Sequence, residues 1–128
     1  MTKLQINITK DILRKSMYCT NKNAENNCAI ALAVRDIFPN ATIGEESIYF
    51  GTHIKTLGKY GISSYLPKEA TNFIEAFDGL SSTPQVRLEL PKISFEIEVP
   101  DSVINAINID EIKNTLKNCN TMSLIELN

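Results

Sequence analysis

The run from Cys28 to Val34, Cys-Ala-Ile-Ala-Leu-Ala-Val, is apolar at every position. A segment without a polar stripe has no face to offer water, so the rest of the chain must enclose it. It falls far short of the roughly 20 residues needed to cross a bilayer, and its alanines and leucine favour helix over strand. The sequence therefore predicts a buried central helix over 27–39, with Asn26 or Asn27 capping the first turn by accepting an orphan backbone N–H. Pro39 ends it, because the residue before a proline is driven out of helical geometry. Ala29, Ala31 and Ala33 leave room for neighbouring elements to come close to its backbone.

The walls of that enclosure are written in two periodicities. Leu4, Ile6 and Ile8 alternate with Lys3, Gln5, Asn7 and Thr9, which predicts a half-buried strand over 3–8. Thr9 then caps a short helix ending near Tyr18, with Asp11 in the first turn, where the helix dipole favours negative charge. The asparagine-rich stretch 19–26 is expected to be a surface loop with nothing to anchor it. Segments 41–43 and 47–50 flank Gly44-Glu45-Glu46 and predict a β-hairpin. Residues 62–66 read as a short strand leading into Pro67, which suits a first helical position because its missing N–H would have been an orphan there. Ala70, Phe73, Ile74 and Phe77 follow as an apolar stripe opposite Lys68, Glu69, Asn72 and Glu75, up to Gly79.

Beyond that helix, Val86, Leu88 and Leu90 alternate with Arg87 and Glu89, and Ile93, Phe95, Ile97 and Val99 alternate with Ser94, Glu96 and Glu98. Paired as a hairpin turning at Pro91-Lys92, they would set Leu88 against Phe95 and Arg87 against Glu96. Proline's fixed φ resists a two-residue turn there, so a longer turn is implied. Pro100 opens a helix over 101–107, Asp110 starts another with Ile112 and Leu116 inward, and 122–127 alternates as an edge strand. Leu66-Pro67 and Val99-Pro100 each lead a strand into a helix; a shared helix-entry rule accounts for this echo without a duplication.

The reading that results is one α+β domain over 1–128: an antiparallel sheet packed on helices 28–38 and 67–77, with short helices near the C-terminus. A chain of 128 residues is long enough for one core and too short for two. Residues 1–9 alternate instead of showing a basic start and an apolar run, so no signal peptide is expected. The net charge of -2 argues against a large nucleic-acid footprint. Three irregularly spaced cysteines fit neither a disulfide framework nor zinc spacing, and reduced thiols in a cytoplasmic setting are expected.

Several residues invite a chemical reading. Cys28 at a helix N-terminus could be an activated nucleophile with His53, the single histidine, as its base, giving a cysteine-dependent enzyme. Its apolar surroundings favour a core thiol instead. Gly51 and Gly58-Lys59 are too far apart for a phosphate-binding loop, and Tyr60 stands where a magnesium-holding hydroxyl belongs. Lys55, Lys59 and Tyr60 could touch a nucleic acid, although a solvated loop suits the acidic balance better. Glu45, Glu46, Glu96 and Glu98 could pair as acid–base or metal-binding carboxylates; alternating charge on a solvated strand face is the simpler account. No catalytic residue, metal or cofactor is expected. His53, Lys55, Lys59, Tyr60 and Tyr65 combine tyrosines and cations in a glycine-containing stretch whose content folding explains least, and are the expected protein-binding surface.

Asn27-Cys28-Ala29-Ile30-Ala31-Leu32-Ala33-Val34, with Pro39 and the later Leu66-Pro67, Phe73-Ile74 and Phe77-Asp78-Gly79, resembles a group of short uncharacterised phage and prophage proteins. These carry a Cys-Pro-Ile-Ala-Leu-Ala type helix and a later Leu-Pro helix ending in Phe-Asp. Ala29 stands where their proline usually would. The resemblance covers about two-thirds of the chain, brings no catalytic residues, and implies a phage setting. With no catalytic constellation among the residues, a non-enzymatic protein that binds a host or virion protein is expected; the resemblance implies a phage-encoded modulator of host machinery or defence, or a virion accessory component, in the host cytoplasm or in the virion.

Overall fold

A computed structural model describes residues 2–19, 28–51 and 62–126. In chain order the elements are β1 (Thr2–Ile8), α1 (Lys10–Ser16), α2 (Ala29–Val34), β2 (Thr42–Ile43), β3 (Ser47–Tyr49), β4 (Ser63–Tyr65) and α3 (Lys68–Asp78). A 3-10 helix (Pro84–Glu89), β5 (Ile93–Val99), α4 (Asp101–Ile107), α5 (Ile109–Leu116) and β6 (Met122–Glu126) complete them. The architecture is α+β, built on two three-stranded antiparallel sheets, ordered β5-β1-β6 and β2-β3-β4.

Strand β1 is the hinge of the architecture, because its alternation serves two neighbours at once. Leu4, Ile6 and Ile8 are buried on its inner face, and they lie opposite Ile97, Phe95 and Ile93 of β5. On the other side Leu4 meets Leu124 and Ile6 meets Met122 of the edge strand β6. Apolar residues thus line one face across all three strands, and α2 packs on it. Ala29, Ala31 and Ala33 are buried along that helix, and small side chains are what let it lie close to β1 and α1. Thr121 ties β6 to the same helix, its hydroxyl donating to the Ala33 carbonyl at 2.7 Å.

The second sheet forms where the hairpin was expected. Thr42 pairs with Tyr49 and Ile43 with Ile48, and the Gly44 N–H donates to the Ser47 carbonyl to close the turn. Phe50 stacks edge-on against Phe38 with ring centroids 4.9 Å apart, which couples the end of β3 to the chain just beyond α2. Gly51 follows at φ +84°, with Asn40 packed so closely that a Cβ there would stand 2.9 Å from the Asn40 Cβ; only glycine fits both demands.

Several expectations need correction, beginning with the central helix: α2 ends at Val34, with Arg35 as its C-cap, and not at Pro39. Residues 86–90 are not a strand: Pro84–Glu89 is a 3-10 helix, and β5 pairs with β1. The local register was self-consistent, but β1 offers β5 a seven-residue match from Thr2↔Val99 to Ile8↔Ile93, whereas Pro91 blocks the tight turn the hairpin needed. Arg87 therefore never faces Glu96; it is buried elsewhere. Cys19 is likewise a core residue and not the start of a surface loop; residues 20–26 lie outside the described residues. Cys28, not Asn26 or Asn27, is the N-cap of α2, its carbonyl accepting from the Leu32 N–H at 3.0 Å. Pro67 is the N-cap of α3 and not its first helical residue, its carbonyl taking the N–H groups of Ala70 and Thr71.

Elsewhere the periodicities hold. Thr9 caps α1 by accepting from the Ile12 N–H, and Ala70, Phe73 and Phe77 are the buried stripe of α3. Asn108 adopts φ 98° between α4 and α5, and its side chain accepts from the Asp110 N–H. That local bond offsets a backbone conformation that asparagine tolerates better than most residues.

Candidate functional site

Tyr65 is the member of the expected binding surface that lies within the described residues, and it is 84% exposed. His53, Lys55, Lys59 and Tyr60 lie outside them. Tyr65 sits on β4, an edge of the second sheet, and β5 is an edge of the first. The two edges approach each other without joining into one ladder. Their link is a hydrogen bond from the Ser64 hydroxyl to the Glu98 carbonyl at 2.7 Å.

Between them opens a groove of about 400 Å³, lined by Ser63, Ser64, Tyr65, Leu66 and Pro67 from one side and by Glu96, Glu98 and Pro100 from the other. Strand alternation sets its chemistry. Phe95, Ile97 and Val99 point into the core, so Glu96 and Glu98 must share the exposed face, about 7 Å apart along the strand. Both prolines lie where a strand ends and a helix begins, Pro67 before α3 and Pro100 before α4. The repeated strand-proline-helix corner thus brings both copies of its proline to one groove. Its walls combine an aromatic ring, proline and leucine carbon, hydroxyls and two carboxylates.

The other pair of candidate carboxylates lies apart. Glu45 and Glu46 line a second groove, of about 320 Å³, with Thr71, Ile74, Glu75 and Asp78. Burial raises the Asp78 carboxyl above its ordinary range; the Arg87 guanidinium opposes this and the Glu45 charge adds to it. Among the described residues no group of three or more His, Cys, Asp or Glu side chains is placed to hold a metal ion.

Cys28 is 9% exposed, and burial pushes its thiol up to about 11. The backbone N–H groups of Ala31 and Ile30 favour the thiolate and only partly offset the burial. A thiol held this high is almost entirely protonated near neutral pH, which is the opposite of an activated nucleophile. Its expected base, His53, lies outside the described residues. Cys19 is raised for the same first reason, with Arg87 pulling it down and Asp78 pushing it up.

The side chain that sequence reasoning placed worst is Arg87. It is 2% exposed and stacked on the Phe77 ring, its Cζ 3.9 Å from the centroid. Its Nε donates to the Phe77 carbonyl at 2.9 Å, and one terminal nitrogen donates to the carbonyls of Met17 at 2.8 Å and Cys19 at 2.9 Å. The Phe77 and Met17 carbonyls lie at the C-terminal ends of α3 and α1, where C=O groups carry the negative pole of the helix dipole, and the Cys19 carbonyl lies just beyond α1. An alternating pattern disguised it; an arginine soon after Pro84, in a segment that must also turn, was the available hint.

No family model matches the chain, and no curated protein or solved structure matches it either.

Proposed function

We propose that this protein acts by binding another protein and not by catalysis, and that the groove between β4 and β5 is its docking surface. The observation that carries this reading is Tyr65: a large side chain left 84% exposed on a strand, beside the apolar carbon of Leu66, Pro67 and Pro100. Tyrosine is enriched at protein interfaces because it presents a broad apolar face with a polar tip and loses little conformational freedom on contact. Here the ring stands on a sheet edge, so the contact surface is pre-arranged and little ordering cost falls on binding. The likeness of Cys28–Val34 and the Leu66-Pro67 helix to short phage and prophage proteins supports a phage setting, with a host or virion protein as the partner and the host cytoplasm or the virion as the place. No helix among the described residues is long and apolar enough to cross a membrane, which accords with a partner met in water.

The test is affinity capture from a bacterial host lysate and from virion protein, using the parent chain and Tyr65→Ala side by side. A stoichiometric protein retained by the parent and lost with Tyr65→Ala, at matched thermal melting, is the expected result. Capture undiminished by the substitution overturns the groove as the docking surface.

A further inference from the structure

We propose that the occupant of this groove is an extended protein segment bearing an arginine or lysine side chain, which lies on the Tyr65 ring with its charge between Glu96 and Glu98. The inference rests on the docking reading above and names its chemistry.

Charge decides the sign of the occupant. Among the described residues, both charged side chains lining the groove are carboxylates, and no lysine or arginine lines it. Neighbours on β1 compensate the two unequally. Lys3 lies opposite Glu98 in the ladder and shares its face, so part of that charge is already answered; Glu96 lies opposite Gln5, which carries none. The groove therefore keeps a net negative wall, centred on Glu96. An anionic ligand would meet repulsion there, whereas a cation gains from both carboxylates. Two carboxylates about 7 Å apart on one strand face can flank a single guanidinium or ammonium from either side.

Shape decides what kind of cation. Leu66, Pro67 and Pro100 give an apolar floor, which suits the methylene stem of arginine or lysine while the charged head reaches the rim. The exposed Tyr65 ring offers the negative face of its π-system to the same head. A bare metal ion or small amine would leave that carbon uncovered. Backbone pairing is a poor alternative, since the Ser64 to Glu98 hydrogen bond already holds the two edges together and leaves no room for an inserted strand. The groove reads a side chain carried past it, not an added strand.

The experiment uses the full chain, isotope-labelled, titrated with three synthetic peptides and followed by amide chemical shifts. The peptides share the frame Gly-Ser-X-Gly-X-Ser-Gly, with X as arginine, its neutral isostere citrulline, or glutamate. Saturable shifts confined to residues 63–67 and 96–100 are expected with the arginine peptide, weakening as salt is raised. Glu96→Gln with Glu98→Gln should weaken binding by about 2–30-fold, and Tyr65→Ala by about 2–5-fold, the range for two exposed ion pairs and an exposed cation–π contact. Equal binding by the citrulline peptide, or no response in those residues to the arginine peptide, overturns the cationic occupant. Tyr65-dependent capture of a partner would survive that outcome, whereas capture undiminished by Tyr65→Ala is what removes the docking reading itself.

Discussion

Arg87 shows how much one side chain can hold in a chain of this size. Its guanidinium ties the ends of α1 and α3 to the 3-10 helix through the carbonyls of Met17, Cys19 and Phe77, the last of which also accepts from the Leu80 N–H. Arg87→Met keeps much of the contact with Phe77 but removes a charge-assisted donor from all three carbonyls, and should destabilise the fold by about 1–3 kcal/mol in denaturant unfolding. Arg87→Lys should recover only part of that, because a single ammonium cannot reproduce the planar fork. A loss under about 0.5 kcal/mol for either change would mean the carbonyls are as well served by water. Asp78, at the C-terminal end of α3, offers a second test. Its carboxyl is raised chiefly by burial, so the folded state holds the proton to higher pH than the unfolded chain does. Its contribution to stability is therefore present in acid and is lost as pH rises through the folded-state value. Asp78→Asn, which cannot ionise, should melt above the parent at pH 7 and converge with it near pH 3. A lower melt at pH 7 would show that the attraction to Arg87 outweighs burial.

At the scale of elements, the central helix was legible and its inner details were not. Cys28 to Val34 are buried with one exception: Leu32, as bulky as Ile30, is partly exposed. Ile30 is 1% exposed. Ile30→Ala should thus cost about 2–5 kcal/mol, the range for opening a core cavity, and Leu32→Ala clearly less, measured by chemical denaturation. The reverse order would turn the helix on its axis. The strands divide in the same way. β1, the 42–49 hairpin and β6 could be read because each combines an alternating or β-prone segment with a local turn or an unrivalled partner. Residues 86–90 could not, because their alternation is also satisfied by a short 3-10 helix that buries Arg87, and the choice depends on β1, far away in the chain. The candidate site was readable only at Tyr65. Glu96 and Glu98 could be assigned to a solvated face by alternation, yet nothing local says that this face adjoins β4.

For the whole molecule, what the sequence determined by itself is the α+β class, the buried helix, the inward faces of β1 and β5 and the proline-led entries of α3 and α4. Those follow from hydrophobic period and from proline's missing N–H, which act within a few residues and do not need a partner to be known. Tertiary structure alone decided that there are two sheets instead of one, that β1 takes the place beside β5, and that Arg87 is buried against helix ends. It alone brought Pro67 beside Pro100 and Tyr65 beside Glu96. The physical reason is that strand pairing and a buried cation's partners are long-range choices among locally equivalent options. They are settled by which arrangement encloses the most apolar surface while leaving the fewest backbone polar groups unanswered.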